Sequence, residues 1–126
     1  MLRTKIAPLF LLPLLLGGCS STITNLTPKS APRSATGLYS LEARWDCNQQ
    51  SLRKESITPS VIIGTEVFPM QKTPLTVNRW ETVVPVAADQ RFLTYRFKFD
   101  YLYNSIPKPR PDSRLSTTYQ LEILDK

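Results

Sequence analysis

The side chains that most often carry enzyme chemistry are sparse in this 126-residue chain, which contains two cysteines and no histidine. The lack of histidine excludes a Ser-His-Asp triad and a histidine-ligated metal site. Glycosidase chemistry needs two carboxylates held close together in a cleft, and no spacing in the chain indicates such a pair. We therefore expect no catalysis, no metal and no cofactor. Five carboxylates fall on outward strand positions, where surface charge is their expected role: Glu42, Asp46, Glu81, Asp100 and Glu122.

The first cysteine ends a segment with the layout of an export signal. A short basic start, residues 1–5, precedes an apolar run, residues 6–16, that contains two prolines. This run is shorter than the roughly 20 residues that a spanning helix needs, which is typical of a signal peptide. The sequence LGGC of residues 16–19 resembles the bacterial lipobox. The resemblance implies cleavage before Cys19 and lipid on its sulfur and amine, and several acyl chains together anchor a protein stably.

The residue after the modified cysteine indicates the destination. Gram-negative lipoproteins that stay at the inner membrane commonly have an aspartate there, so Ser20 favours the outer membrane. The alternative is an ordinary signal peptide that is cut elsewhere, with Cys19 incidental.

Cys47 is the cysteine that remains after Cys19 is lipidated. No intramolecular disulfide is then expected in the mature chain, so the fold depends on its core. Cys47 continues the alternating apolar face of Tyr39, Leu41, Ala43 and Trp45. We expect a buried small hydrophobe, and the alternative is a thiol that reacts or pairs between molecules.

Residues 20–36 read SSTITNLTPKSAPRSAT, with Ile23 and Leu26 as the larger apolar residues. Such a composition buries too little surface to offset the entropy lost on ordering. We predict a flexible tether, so that the chain divides into a signal peptide (residues 1–18), the lipidated Cys19 with its linker (residues 19–36) and a folded domain (residues 37–126).

Within the predicted domain, apolar residues recur at every second position, which is the period of a half-buried strand. The predicted strands cover residues 39–47, 61–63, 80–86, 93–103 and 119–123. No window carries a helical stripe, and Pro85 inside a strand pattern predicts an edge or a bulge. About 90 residues with several antiparallel strands fit an all-β, immunoglobulin-like sandwich. Its expected core includes Trp45, Tyr95, Phe97 and Phe99.

Three segments, FPMQK (residues 68–72), NRWETVVPV (residues 78–86) and YRFKFD (residues 95–100), resemble early-set immunoglobulin-like domains related to glycogen-binding modules. In that family a Pro-Met-x-Arg strand precedes a Trp-Glu strand, and a Tyr-x-Phe-Lys-Phe-x-Asp strand follows. The resemblance implies an early-set sandwich, with Trp80 and Lys98 as the residues that match for glycan contact. The exposed tryptophans of the family's glucan platform have no counterpart here.

The segment PKPRPD, residues 107–112, predicts a stiff basic hairpin loop. Extended proline-rich segments dock into aromatic grooves of partner proteins, which makes Lys108 and Arg110 candidate partner contacts. The alternative is a rigid surface loop without a partner.

The chain carries a net charge of +6 without a dense Lys/Arg cluster, and export combined with that pattern argues against nucleic acid. We expect a lipid-anchored envelope protein that acts as a non-catalytic accessory or protein-binding module. Its expected partners are the membrane, through the anchor, and another envelope protein. A glycan-binding lipoprotein with a polysaccharide partner is the alternative.

Overall fold

The computed structural model describes residues 20–125, and Cys19 lies outside the described residues. The described chain is built from strands, with one turn of 3-10 helix at Lys54–Ser56. This part of the chain includes no helix that is long and apolar enough to cross a bilayer. The strands are β1 Ser21–Asn25, β2 Ser30–Pro32, β3 Leu38–Cys47, β4 Thr58–Ile63, β5 Glu66–Pro69, β6 Gln71–Lys72, β7 Arg79–Pro85, β8 Phe92–Tyr103, β9 Arg110–Leu115 and β10 Tyr119–Leu124.

The strands form two sheets. One has the order β1-β3-β7-β6, and the other has the order β2-β10-β8-β4-β5, with β9 also paired to β8. The pairs are antiparallel except for β2 and β10, which run parallel. A four-stranded sheet that faces a second, larger sheet with this connectivity is an immunoglobulin-like arrangement. The predicted all-β, immunoglobulin-like sandwich is confirmed.

The core lies between the sheets and is built largely on β8. Its inward residues Leu93, Tyr95, Phe97, Phe99 and Tyr101 are at most 2% exposed. From the opposite sheet, the Trp45 ring stacks on Phe99 with centroids 5.1 Å apart. Ring pairs at this separation add to the stabilisation from burial itself. The prediction that Trp45, Tyr95, Phe97 and Phe99 form the core is confirmed.

One long edge of β8 is covered by two successive strands. β9 pairs with the second half of β8 and β10 pairs with the first half. Three residues, 116–118, lie opposite two residues of β8 at the junction, which is a β-bulge. Ser116 fixes the bulge because its N–H donates to the Phe97 carbonyl (2.8 Å) and its Oγ accepts from the Phe97 N–H (2.8 Å).

The predicted flexible tether is wrong for the described residues 20–36. β1 pairs with β3 along its whole length, and β2 pairs with β10. Ile23 and Ala31 pack against the core. Residues 20–36 have little apolar surface of their own, but backbone pairing to an existing sheet orders them. Their composition alone does not reveal this. The folded domain therefore includes residues 20–36 as well as the predicted residues 37–125.

Two smaller predictions are refined. Pro85 lies in β7, which has neighbours on both sides, but β6 pairs only with Trp80 and Glu81. Pro85 is therefore opposite β3 alone, as a residue without an N–H requires. Cys47 is a free thiol that packs against the core and is half-buried rather than buried.

Candidate functional site

A groove opens between the two sheets along the side where β1 and β10 approach each other. The larger part has a volume of about 630 Å³ and the smaller part about 200 Å³, and both include Ile23 and Tyr119. Ile23, Tyr95 and Tyr119 make the floor apolar and aromatic. This size and lining are typical of binding sites.

One wall of the groove is the outer edge of β1. In an antiparallel pair, alternate residues direct both backbone groups to the partner strand. The Leu26 N–H donates to the Glu42 carbonyl (2.9 Å), and the Asn48 N–H donates to the Ser20 carbonyl (3.1 Å). The intervening residues 21, 23 and 25 therefore turn their backbone N–H and C=O groups outward. No strand pairs with this edge within residues 20–125.

In the smaller part of the groove, the opposite wall is the outer edge of β9, which is chemically covered. Its outward residues are 111, 113 and 115, because Ser116 directs its backbone to β8. Pro111 has no N–H to offer. The Ser113 N–H donates to Asp112 Oδ1 (2.8 Å), and the Ser113 carbonyl accepts from the Arg114 guanidinium (3.1 Å). Proline and charged side chains are known devices against unwanted strand addition.

Asp112, which covers the β9 edge, keeps its negative charge at neutral pH. The hydrogen bond from the Ser113 N–H lowers the pKa of Asp112, and the Tyr101 hydroxyl and Arg114 act in the same direction. Burial raises the pKa of Tyr101, whose hydroxyl donates to Asp112 Oδ2 (3.2 Å). β1, with the sequence STITN, has neither proline nor charge. The two walls thus differ: the β9 edge is covered at residues 111 and 113, and the β1 edge has no such cover.

A polar clasp fixes β1 beside the groove floor. The Asn25 side-chain amide donates to the hydroxyl of buried Tyr95 (2.8 Å), and its carbonyl oxygen accepts from the Thr27 N–H (3.0 Å). Across the smaller part, Arg114 Nε donates to Ser21 Oγ (3.2 Å). Lys29 and Arg114 are the charged residues that line the groove, and its lining contains no Asp or Glu. The groove therefore favours a ligand that is extended, partly apolar and negatively charged.

Trp80 and Lys98, the glycan-contact candidates, do not share a surface. Trp80 lies on β7, opposite the core residue Ala43, so it belongs to the inner face of the four-stranded sheet. Lys98 lies on β8 between inward Phe97 and Phe99, so its side chain is on the outer face of the other sheet. It forms an ion pair with Asp100 (3.6 Å).

Trp80 instead lines a small cavity of about 180 Å³ together with Trp45, Cys47, Lys54 and Lys72. It is half-buried there and packs against the core. This placement gives Trp80 a packing role at the margin of the core.

Lys108 and Arg110 lie on the β8–β9 hairpin and are exposed. Arg110 begins β9, opposite Tyr103, and Lys108 belongs to the connecting loop. A hairpin is present as predicted, but its loop is residues 104–109, and residues 110–112 of the predicted loop lie in β9. Both cations are exposed and therefore open to contact. Neither of them lines the groove.

Comparison with known proteins gives little beyond the fold. No protein-family model matches the chain, and no characterised protein matches its sequence. Murine CRIg has a similar structure, with a TM-score of 0.46 and 12% identity over 82% of this chain and 98% of that one. AggA, the major subunit of aggregative adherence fimbriae type I from Escherichia coli, has a TM-score of 0.46 and 10% identity over 87% of this chain and 98% of that one.

The carboxylates that the sequence places on outward strand positions stay on the surface. Glu42 pairs with Arg79 (2.7 Å) and Asp46 pairs with Arg44 (2.9 Å). Within residues 20–125, no group of three His, Cys, Asp or Glu side chains is placed to hold a metal ion.

Sequence reasoning did not find the groove, because half of it is formed by residues assigned to a tether. The alternation of Ser21, Ile23 and Asn25 was a signal for β1, but it is short and contains a single large apolar residue. The bulge at residues 116–118 has no sequence marker that distinguishes it from an ordinary loop.

Proposed function

We propose that this protein is a non-catalytic binding module of the cell envelope, anchored by lipid at Cys19, that captures an extended segment of another envelope protein along β1. The capture is strand addition: the partner's backbone pairs with the outward groups of residues 21, 23 and 25. Its alternate side chains then enter the groove above Tyr95 and Tyr119. Recognition of this kind draws affinity from main-chain hydrogen bonds and specificity from side-chain pockets.

The observation that supports this proposal is the contrast between the groove's two walls. The β9 edge is covered by Pro111, Asp112 and Arg114, whereas the β1 edge leaves its backbone groups uncovered beside an aromatic floor. An uncovered edge promotes aggregation unless it has a partner. A functional partner for β1 accounts for the difference.

Charge narrows the class of partner. Lys29 and Arg114 line the groove without a lining carboxylate, so an incoming segment with an acidic residue is favoured over a second copy of this basic chain. The expected ligand is therefore an extended peptide segment that alternates apolar residues and carries at least one carboxylate.

The test uses a photo-crosslinking amino acid at Thr118, which lines the groove. We expect a defined protein adduct in the intact envelope. The same amino acid at Val83, which is 53% exposed on β7, serves as the surface control and should give no such adduct.

A matched pair of substitutions then isolates the strand edge. Ile23→Pro removes an outward N–H without removing a bond to β3, and Ile23→Ala removes the same apolar side chain but keeps that N–H. We expect the Thr118 adduct to survive Ile23→Ala in reduced amount and to disappear with Ile23→Pro. Equal adducts from the two variants, at equal melting temperature, would show that the β1 edge is not the contact.

The anchor is tested separately. Cells labelled with a clickable palmitate analogue should label the wild-type protein and leave Cys19→Ser unlabelled, since the modified sulfur is absent. Equal labelling of the two would remove the anchor from the proposal while leaving the groove intact.

A further inference from the structure

One end of the sandwich gathers the N-terminus of the described chain and three loops, and we name it the loop end. The loops connect β3 to β4 (residues 48–57), β6 to β7 (residues 73–78) and β8 to β9 (residues 104–109). Hydrogen bonds join these segments: the Ser20 N–H donates to Asn48 Oδ1 (2.8 Å), and the Asn104 N–H donates to the Ser51 carbonyl (2.7 Å). The loop end is therefore a connected surface.

We propose that the loop end rests in the interface of an anionic lipid bilayer. Leu75, Val77 and Ile106 enter the boundary between headgroups and acyl chains, and the surrounding cations contact the headgroup phosphates. This inference rests on the proposed lipid at Cys19, and it adds an orientation and a second membrane contact.

The apolar exposure of this end is the first argument. Leu75 is 106% exposed, Ile106 93% and Val77 74%, which are the three highest values among the large hydrophobic residues described. At the opposite end, Val67 is 61% exposed and Leu38 is 48% exposed. Apolar side chains on a rim of cations are typical of surfaces that lie in the membrane interface.

Backbone strain at one of these residues is the second argument. Leu75 has a φ of 62°, in the left-handed region that a residue with a Cβ rarely adopts. A fully exposed leucine contributes no packing to the fold that would offset this cost. A side chain held outward under strain indicates that its apolar surface has a use outside the domain.

Charge is the third argument. Lys54, Lys72, Lys108 and Arg110 are exposed at this end, and none of them forms an ion pair within residues 20–125. Two acidic residues nearby are paired, Glu55 with Arg53 and Asp46 with Arg44, while Glu81 accepts a hydrogen bond from the Thr73 hydroxyl (3.0 Å). Free cations close to an anionic surface are attracted to it.

Chain geometry decides between a membrane and a protein as the occupant. Ser20 is hydrogen-bonded at the loop end, and Cys19 immediately precedes it in the sequence. Consecutive Cα atoms are about 4 Å apart, so the proposed lipid is attached one residue away from this surface. A flexible tether would let the domain turn in any direction. Because residues 20–25 are ordered instead, anchored acyl chains hold the loop end against the bilayer.

The experiment reconstitutes the lipidated protein into vesicles of phosphatidylethanolamine and phosphatidylglycerol that carry brominated acyl chains, which quench tryptophan at short range. Ile106→Trp places a probe at the loop end. Val67→Trp places the control probe in the β4–β5 hairpin, at a residue that is 61% exposed. The native Trp45 and Trp80 are common to both variants, so the difference between them reports the added side chain.

We expect the added emission of Ile106→Trp to be quenched severalfold more than that of Val67→Trp. Equal quenching of the two would overturn the inference. The double variant Lys108→Ser with Arg110→Ser should lower the quenching of Ile106→Trp on these vesicles and leave it unchanged on vesicles of phosphatidylethanolamine alone. If instead the double variant loses a protein crosslink in the envelope while quenching is unchanged, the two residues contact a protein.

The mass of the N-terminal peptide shows whether Cys19 is lipidated, which tests the anchor independently of the loop end. A lipidated Cys19 with equal quenching at both probes rejects the loop end alone. An unlipidated chain whose Ile106→Trp probe is still quenched by added vesicles rejects the anchor alone. An unlipidated chain whose Ile106→Trp emission is not quenched by added vesicles rejects both the lipid anchor and the membrane contact of the loop end.

Discussion

β8 and β1 belong to the same sandwich but are held in place by different means. β8 has neighbours on both sides and buries five inward side chains in the core. β1 has a neighbour on one side, buries no side chain completely, and is held by backbone bonds to β3 and by the Asn25 clasp.

This contrast separates stability from binding. A strand that is paired on both sides has no backbone groups left for a partner, whereas an edge strand keeps half of its groups available. Substitutions in β8 should therefore change the free energy of unfolding, and substitutions on the outer edge of β1 should change binding with little effect on stability.

The largest expected effect is that of Phe97→Ala. Phe97 is fully buried and contacts the Tyr95 ring edge-on, with centroids 5.5 Å apart. Truncation of a buried aromatic ring costs about 3–5 kcal/mol, which is a large share of a small domain's stability. Thermal unfolding followed by circular dichroism should show a large fall in melting temperature or an unfolded chain.

Val83→Ala is the matched control for that measurement. Val83 is 53% exposed, and its truncation should change the free energy of unfolding by less than about 0.5 kcal/mol. If Phe97→Ala unfolds at the same temperature as Val83→Ala, the central role of β8 is contradicted.

The next largest loss of stability is expected at the contact between β1 and β8, where Asn25 meets Tyr95. Asn25→Ala removes the donor to the Tyr95 hydroxyl and the acceptor of the Thr27 N–H. Tyr95 is 1% exposed, and its hydroxyl accepts the hydrogen bond of the Asn25 amide. Leaving a buried polar group unsatisfied costs about 1–3 kcal/mol, measurable by denaturant unfolding.

A double-mutant cycle with Tyr95→Phe shows which hydrogen bond causes the loss of stability in Asn25→Ala. If the clasp is the cause, Asn25→Ala should cost less in the Tyr95→Phe background than in the wild type, with a coupling energy of about 1 kcal/mol. Purely additive effects would mean that the loss comes from the Thr27 hydrogen bond and not from the bond to the Tyr95 hydroxyl.

The same contrast explains what the sequence could predict. The side chains of β8 alternate over twelve residues, so its strand, its inward face and its core aromatics are all visible in the pattern. β1, β2 and β9 are ordered by pairing with strands distant in sequence, and their own compositions resemble those of linkers and loops. The fold class and core were therefore predictable, and the groove that β1 and β10 form was not.

A smaller effect is expected at alkaline pH. Burial raises the pKa of Tyr101 above that of an unfolded tyrosine, so the folded state holds this proton more tightly. The resulting stabilisation is present below about pH 10 and is lost as the pH rises through the folded value. β1 carries no ionisable side chain and therefore does not contribute to this loss.

Tyr101→Phe provides the comparison, because it removes the titrating group. Over the alkaline range the wild type should lose more stability than this variant. Parallel pH profiles for the two proteins would show that Tyr101 does not contribute.

The most direct test of an ordered β1 with an open outer edge is amide hydrogen exchange of the protein, resolved residue by residue. We expect alternation: the N–H groups of Thr22, Thr24 and Leu26 face β3 and should be protected, while those of Ile23 and Asn25 face outward and should exchange rapidly. Rapid exchange at all five residues would show that this segment is a flexible tether after all. Protection at all five would show that the outer edge of β1 is already covered. Either result would contradict the account.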